Sequence, residues 1–310
     1  MIPSTQNILK KNMSQIRTLV YFDLEATGLR CSGRPRITEL SFVAVNTEDV
    51  LDMHSRIFSN CQENRTKIES IVPRIVNKLT VCVYPLAIIR PEVTDITGLD
   101  NYNLSGQASF SMETGELLNS FLAILPKPLC LVAHNGNQFD FPLLKAELDK
   151  AGSNLPVGTL CVDSYIAMKQ ILSGPKNIQQ LVIETETHKT PKQSLTLKDG
   201  SHEILNSKKV ASKATQYLPK FEDTASREDK RRKLSNLITR QTQKEQGPKS
   251  YSLINLHTHL LGCPPAQSHG SEADCLSLLR TTAVLGTEWV QWVRDNSIPF
   301  SNCKRMWSYN

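Results

Sequence analysis

The sequence predicts an α/β protein in which helices flank a mixed central sheet, and two observations lead to this fold class. Apolar or alternating runs of strand length come early in the chain, at residues 19–29, 37–46, 53–58 and 79–84. Strand-like and helix-like segments alternate later, as they do where helices join parallel strands. An early meander followed by this alternation indicates a sheet with both antiparallel and parallel strands.

The later elements are predicted from the spacing of apolar residues and from helix-ending residues. A helix is expected at 114–125, where Leu and Phe recur on one face before Pro126. A helix at 140–152 has Asp140 near its cap and Gly152 at its end. The remaining expected elements are a strand at 129–135, a strand running into a helix at 158–172, a helix at 250–262 and one long or two short helices at 271–293.

Composition excludes several classes of protein. Of the 310 residues, 39% are hydrophobic and 21% are charged, which is typical of an ordinary globular chain. No apolar run reaches 18 residues, and residues 1–13 contain no segment of signal-peptide character, so we expect no membrane contact and a location in the cytoplasm, the nucleus or both. The eight cysteines include no C-x-x-C pair, so they predict reduced thiols and no structural zinc site.

The positive charge belongs to one segment of the chain. Residues 176–249 contain 16 Lys and Arg against 9 Asp and Glu, a net charge of +7, whereas the rest of the chain has 20 basic and 21 acidic residues, a net charge of −1. The segment is also poor in apolar residues, so it lacks the surface whose burial would order it. We therefore expect one domain at 15–310 that contains a polar, basic, mobile insertion at 174–249.

Two carboxylates share one face of the first predicted strand, in the stretch "YFDLEATGL" (21–29). Residues two apart in a strand point to the same side and lie about 7 Å apart, so ionised Asp23 and Glu25 repel by about 2 kcal/mol at an effective dielectric near 20. A stable fold accepts this pair if both groups are hydrated, if one is protonated or if a cation lies between them.

Further acids stand next to other predicted elements. Asp140 lies in "AHNGNQFDFPLL", and Asp274 lies in "SHGSEADCLSLL", five residues after His269. Four converging carboxylates would need divalent cations, and an all-oxygen ligand set suits Mg²⁺, with Mn²⁺ as a substitute, better than zinc. Two such ions are the usual arrangement for phosphodiester cleavage, and a nearby His can take the proton of the attacking water.

These stretches resemble the three motifs of the DEDDh exonucleases and, within them, those of the three-prime repair exonuclease group. "ITGL" (96–99) and "PKSYSL" (248–253) also resemble that group, and the similarity covers about 15–173 and 248–300. It implies a ribonuclease H-like α/β fold. It further implies a Mg²⁺-dependent 3′→5′ exodeoxyribonuclease that releases mononucleotides from single-stranded or frayed 3′ ends of DNA.

The resemblance also implies a role for individual residues. Asp23, Glu25 and Asp274 would bind one Mg²⁺, with Asp23 bridging to a second, while Asp140 would hold a water of the metal site. His269 would be the general base. The terminal nucleotide would contact Glu25 and His269 together with four apolar residues, namely Ala26, Leu29, Ile96 and Phe139. Phe139 stands where the group usually has Tyr, which removes a hydroxyl and keeps the aromatic surface.

The resemblance implies a homodimer as well, joined through the strand at "KLTVCVYP" (78–85). Main-chain pairing of two edge strands would supply the register, so a proline at Val81 or Val83 is expected to remove a donor and give monomers.

Two other functions fit the same motifs. A DEDDh exoribonuclease would carry the same acids, and a non-catalytic nucleic-acid-binding module would bind without metal. The intact set of four acids and His269 argues against the second alternative. Outside the motifs, His134 is expected to be a hydrogen-bonded structural residue, and His257 and His259 are expected at the surface.

Overall fold

The structure, a computed structural model, describes residues 15–29, 33–60, 71–173 and 247–307. Its centre is a sheet with the strand order β3-β2-β1-β4-β5-β6. In chain order, the strands of the described residues are β1 Thr18–Ala26, β2 Ile37–Asn46, β3 Asn77–Cys82, β4 Leu129–Ala133, β5 Leu160–Asp163 and β6 Ile298–Pro299. The helices are α1 Thr47–Asn60, α2 Pro91–Thr97, α3 Met112–Ala123, α4 Asp140–Lys150, α5 Ser164–Ser173, α6 Leu253–Leu261, α7 Ser271–Ala283 and α8 Thr287–Asn296, followed by a 3₁₀ turn at Phe300–Asn302.

The sheet contains both kinds of strand pairing. The first three strands form an antiparallel meander, β4 pairs parallel with β1, β5 pairs parallel with β4, and the two residues of β6 pair antiparallel with β5. Helices connect the parallel strands because a crossover between parallel strands needs more chain than a tight turn. The expected ribonuclease H-like mixed sheet flanked by helices is confirmed.

The prediction of a strand at 53–58 was wrong, because these residues belong to α1. Val50, Met53 and Ile57 are fully or almost fully buried, and their spacing of three and four residues is that of a helix face. Glu48 and Asp49 lie in the first turn of α1, where the helix dipole favours acids.

The expectation that His257 lies at the surface was also wrong. It is fully buried, and its Nδ1 lies 2.7 Å from the Cys263 carbonyl oxygen.

Each face of the sheet has its own apolar core. On the first face, Phe22 of β1 packs with Leu118 and Leu122 of α3 and with Phe141 of α4. On the second face, Tyr21 of β1 packs in the core that also contains residues of α1, α7 and α8, including Met53, Leu278 and Trp289. Because side chains alternate along a strand, Asp23 and Glu25 point to the second face, beyond Tyr21.

A bidentate ion pair joins the β1–β2 hairpin to α4. Arg36 Nη2 lies 3.0 Å from Glu147 Oε2, and its Nε donates to the other carboxylate oxygen. The Glu147 side chain is 1% exposed and the Arg36 side chain 15%. The Arg36 main-chain N–H also donates to Thr27 Oγ1. The end of β1 is therefore tied to the helix that begins at Asp140.

The strand β3 lies at one edge of the sheet and pairs only with β2 among the described strands. The Val83 N–H donates to the carbonyl of Thr38, which belongs to β2. Main-chain amides alternate in direction along a strand, so the Val81 N–H also points towards β2. The choice of Val81 and Val83 for a dimer-breaking proline was therefore wrong. The amides that face away from β2 belong to Lys78, Thr80 and Cys82.

The chain on both sides of the segment at 174–246 contributes to one sheet. After that segment, α7 packs on β1 and β2, and β6 pairs with β5. Of the insertion expected at 174–249, residues 174–246 lie outside the described residues. No helix in the described ranges is long and apolar enough to cross a membrane.

We predict that Glu147→Ala lowers the free energy of unfolding by about 3 kcal/mol, because it leaves the Arg36 charge buried without a partner. The double variant Arg36→Met/Glu147→Met should recover most of that loss, since it removes both charges together. Urea unfolding of the three proteins measures both effects. A double variant no more stable than Glu147→Ala would show that the ion pair is not the reason for the loss.

Candidate metal centre

Three carboxylates meet where β1 ends and α7 begins. Asp23 and Glu25 extend from the second face of β1, and Asp274 lies in the first turn of α7, which packs across β1 and β2. One oxygen from each of the three lies within 4.8 Å of the others, and all three side chains are half-buried. Residues about 250 positions apart in the chain therefore form one acidic cluster.

Asp140 approaches the same cluster from α4. It is the first residue of that helix, is 5% exposed and accepts a hydrogen bond from the Leu24 main chain, between Asp23 and Glu25. Its charge contributes to raising the pKa of Asp23. The structure therefore brings all four predicted acids to the end of β1, with Asp140 outside the tight group of three.

The loop before Asp140 is held in a fixed shape. Asp163, at the end of β5, accepts hydrogen bonds from the amides of Asn135 at 3.0 Å and Asn137 at 3.1 Å. Between them, a Cβ on Gly136 would lie 2.5 Å from the Ala133 Cβ and 2.8 Å from the Phe141 ring. Only glycine fits this close approach, and it lets the loop fold back against β4 before α4 starts.

Burial raises the pKa of the acids at this site, and repulsion between neighbouring acids adds to the rise for Asp23 and Glu25. Burial, with smaller contributions from Asp274, Glu39 and Asp140, raises the pKa of Glu25 to about 7. Burial also raises the pKa of Asp140 to about 7, although main-chain hydrogen bonds act against it. Burial and the neighbouring acids raise the pKa of Asp23 well above its ordinary value, and burial raises that of Asp274. Such a group of acids is stabilised by a bound cation or by protons.

The donor set fits a hard divalent cation. The tight group contains only carboxylates, and carboxylate oxygens with retained waters are ligands of Mg²⁺ and Mn²⁺.

His134 makes hydrogen-bond contacts away from the acids. Its Nδ1 lies 3.0 Å from Ser164 Oγ, and its Nε2 lies 2.8 Å from the Tyr251 carbonyl. It therefore joins β4 to the chain that precedes α6, as a hydrogen-bonded structural residue.

His269 lies beside the acids with its side chain exposed. Its φ of 62° is in the left-handed region, which costs a residue with a side chain about 1–3 kcal/mol. Its main-chain N–H donates to Asp274 Oδ2 at 3.0 Å, which offsets part of that cost. The same hydrogen bond limits the rise in the pKa of Asp274. Asp274 thus fixes the backbone that presents His269 to solvent.

The four apolar residues predicted to contact a nucleotide differ in exposure. Leu29 is 64% exposed and Ile96, on α2, is 56% exposed, as contact residues for a ligand should be. Ala26 is 8% exposed, next to Glu25, and Phe139 is half-buried against the first-face core, next to Asp140. Three of the four therefore lie close in sequence to an acid of the cluster, and Ile96 comes from a separate helix.

Sequence reasoning missed two acids near the site, Glu39 and Asp163. Glu39 lies directly opposite Glu25 in the β1–β2 register, and its charge contributes to raising the pKa of Glu25. The sequence could have pointed to Asp163, because an acid at the end of a buried strand, immediately before a helix, is a common place for a functional residue. It could not have pointed to Glu39, because the residue pattern does not specify the hairpin register that places Glu39 opposite Glu25.

The chain is similar to proteins of one named group. It is 30% identical to three-prime repair exonuclease 1 of Bos taurus over 296 residues, which are 94% of this chain and 71% of the relative. It is 39% identical to three prime repair exonuclease 2 of Homo sapiens over 157 residues, which are 49% of this chain and 61% of that one. A structure of E. coli exonuclease I with a dT13 oligonucleotide aligns with a TM-score of 0.49 and 12% identity, over 88% of this chain and 41% of the other. No protein-family model matches.

We predict that Asp23→Asn stabilises the metal-free protein at pH 8. Burial, with the charges of Asp140, Asp274 and Glu25, raises the pKa of Asp23 well above its ordinary 3.8, so its contribution to stability is complete below about 3.8 and is lost as pH rises towards the folded pKa. Replacing the ionisable carboxyl should relieve this loss and raise the free energy of unfolding by about 1–2 kcal/mol at pH 8, with a smaller difference at pH 5.

Urea unfolding in EDTA at both pH values measures this difference. The Asn side chain has nearly the same shape as Asp, so a packing effect would be the same at both pH values. Equal stability changes at pH 5 and pH 8 would contradict the electrostatic explanation.

Proposed function

The chain belongs to the three-prime repair exonuclease family and is a 3′→5′ DNA exonuclease; we propose that it depends on Mg²⁺ and acts on single-stranded or frayed 3′ ends, releasing mononucleotides. The observation that carries the metal dependence is the group of three carboxylates with oxygens within 4.8 Å of one another. A protein that only binds DNA gains nothing from holding these repelling acids together.

The acids would bind two Mg²⁺ ions, with Asp23, Glu25 and Asp274 around one of them, Asp23 shared with the second and Asp140 holding a water. Bound divalent cations supply Lewis-acid stabilisation of the charge that develops on the phosphate. Mn²⁺ is expected to substitute, because it accepts the same ligands. The folded chain brings these carboxylates to one place from β1, α4 and α7, which supports the proposed ligand set.

His269 would accept the proton of the attacking water. Its side chain is exposed to solvent, and the hydrogen bond from its main-chain N–H to Asp274 keeps the residue next to the cluster. Histidine is the side chain most often used as a general base, because a ring nitrogen can accept a proton from water.

The terminal nucleotide would lie against the apolar residues around the acids. The exposed side chains of Leu29 and Ile96 offer apolar surface to sugar and base, and Ala26 lets the nucleotide approach β1 closely. Phe139 would pack beside the nucleotide as an aromatic wedge, without the hydroxyl that a Tyr would supply.

Digestion of a 5′-labelled single-stranded DNA oligonucleotide tests this function. We expect stepwise shortening from the 3′ end with Mg²⁺ and none with EDTA. Asp274→Asn should lose nearly all turnover because it removes a ligand charge, and His269→Ala should lose about 10²–10⁴-fold, the usual contribution of a general base.

A matched RNA oligomer distinguishes the alternatives. Faster cleavage of RNA than of DNA would identify an exoribonuclease, and DNA binding that is unaffected by EDTA without cleavage would identify a binding module. More than a few per cent of wild-type turnover in Asp274→Asn would contradict the proposed ligand set.

The protein is also proposed to form a homodimer through β3. This strand has a partner on one side only in the described sheet, so the outward amides of Lys78, Thr80 and Cys82 can pair with a second copy. The protein is also proposed to act in the cytoplasm or the nucleus, where thiols stay reduced. Residues 15–310 are proposed to be one exonuclease domain, with 174–249 inserted between α5 and α6.

We predict that Thr80→Pro gives monomers, because proline removes an outward main-chain donor without touching the β2–β3 ladder. Thr80→Val is the matched control, since it removes the hydroxyl that bonds to Ser41 and Glu272 and keeps the amide. Light scattering at micromolar concentration should show dimers for the wild type and Thr80→Val. A monomeric wild type, or a dimeric Thr80→Pro, would contradict pairing through β3.

A further inference from the structure

The carboxylate of Glu39 reaches from β2 to the first residue of α7. Its Oε2 accepts hydrogen bonds from the Ser271 main-chain N–H at 2.9 Å and from Ser271 Oγ at 2.6 Å. Ser271 Oγ also lies 2.7 Å from Ser41 Oγ, on the same face of β2. The start of α7 is thus held to the sheet through one fully buried residue, Ser271.

The first turn of α7 needs such an acceptor. Its N-cap is Gly270, which makes no side-chain capping bond, so the helix does not supply its own acceptor at that position. The first amides of a helix have no partner within the helix, and the helix dipole favours a negative charge beside them. Glu39, on β2, supplies both an acceptor for the first amide of α7 and a negative charge beside the start of the helix.

The position of Glu39 has an electrostatic cost that a neutral residue would avoid. It lies directly opposite Glu25 in the β1–β2 register, and like charges facing each other across a sheet are destabilising. A carboxylate here therefore requires a compensating interaction. The described contacts place that interaction at Ser271, three residues before Asp274 and two after His269.

We propose that Glu39 is a positioning residue of the metal centre, which fixes through Ser271 where α7 places Asp274 and His269 relative to Asp23 and Glu25. The proposal rests on the proposed function of that site. Glu39 is not itself assigned as a ligand, because Oε2 is engaged by Ser271 and Oε1 lies 3.5 Å from Cys82 Sγ.

A neighbouring acid provides the matched control. Glu272, the next residue of α7, also joins this helix to the sheet, through Lys78 at 2.7 Å and Thr80 at 3.2 Å. Its partners are on the edge strand, and it accepts no bond from the amides of the first turn in the described contacts. Glu272→Gln therefore perturbs the same end of α7 without releasing Ser271.

The experiment compares Glu39→Ala, Glu39→Gln and Glu272→Gln in the full chain. Hydrogen exchange of the amides in 269–275, measured without metal, should be faster in Glu39→Ala than in the wild type and unchanged in Glu272→Gln. With Mg²⁺, Glu39→Ala should lower kcat by about 10–100-fold, as the loss of a residue that orients metal ligands does, with the KM for DNA within a few-fold. Glu39→Gln keeps an acceptor oxygen for Ser271 and should recover most of both effects.

Several outcomes would overturn the proposal. Wild-type kcat in Glu39→Ala would do so, as would unchanged exchange at 269–275 in that variant or an equal loss of kcat in Glu272→Gln. A Gln variant as impaired as the Ala variant would also contradict positioning through the acceptor oxygen. The wild-type protein separates this proposal from the function on which it rests: no digestion by the wild type would reject the nuclease, whereas the exchange measurement tests the contact from Glu39 to Ser271 without activity.

Discussion

The main constraint on this structure is that carboxylates which repel one another must be held together at the end of one strand. Asp23 and Glu25 share a face of β1, and the fold adds Asp274 and Asp140 from two helices. Burial makes the repulsion stronger, because charges in a low-dielectric surrounding are poorly screened. Burial raises the pKa of these acids, and neighbouring acids add to the rise at Asp23 and Glu25. The acids stay together because elements on both faces of the sheet hold them, and such a group favours a bound cation or protons.

The elements that hold the acids are themselves fixed by polar contacts beneath them. The Leu24 main chain holds Asp140 against β1, and the ion pair between Arg36 and Glu147 ties the hairpin to α4. On the other face, Glu39 holds the start of α7 through Ser271. The two helices that bring acids to the strand are therefore each joined to the β1–β2 hairpin, so the geometry of the site and the stability of the hairpin are linked.

Local sequence patterns predicted most elements because their apolar spacing is clear. The apolar pattern of residues 129–133 is that of a buried strand, and the pattern of residues 140–150 is that of a helix. The structure has β4 and α4 at these places. The prediction of a strand at 53–58 was wrong because six residues are too few to show the helical spacing. That spacing appears only when Val50, Met53 and Ile57 are considered together, over eight residues. The error at Val81 and Val83 came from pairing, since no residue pattern shows which amides face β2.

The sequence by itself determined the fold class, the four acids and His269, because the residue types that bind metal and move protons are present in recognisable stretches. Only the tertiary structure decided that these stretches meet, that α7 crosses β1 and β2, and that Glu39 stands between Glu25 and Ser271. The physical reason is that a carboxylate's role depends on which charges and donors lie within a few ångströms. Strand register and helix packing set those distances across more than 200 residues of chain.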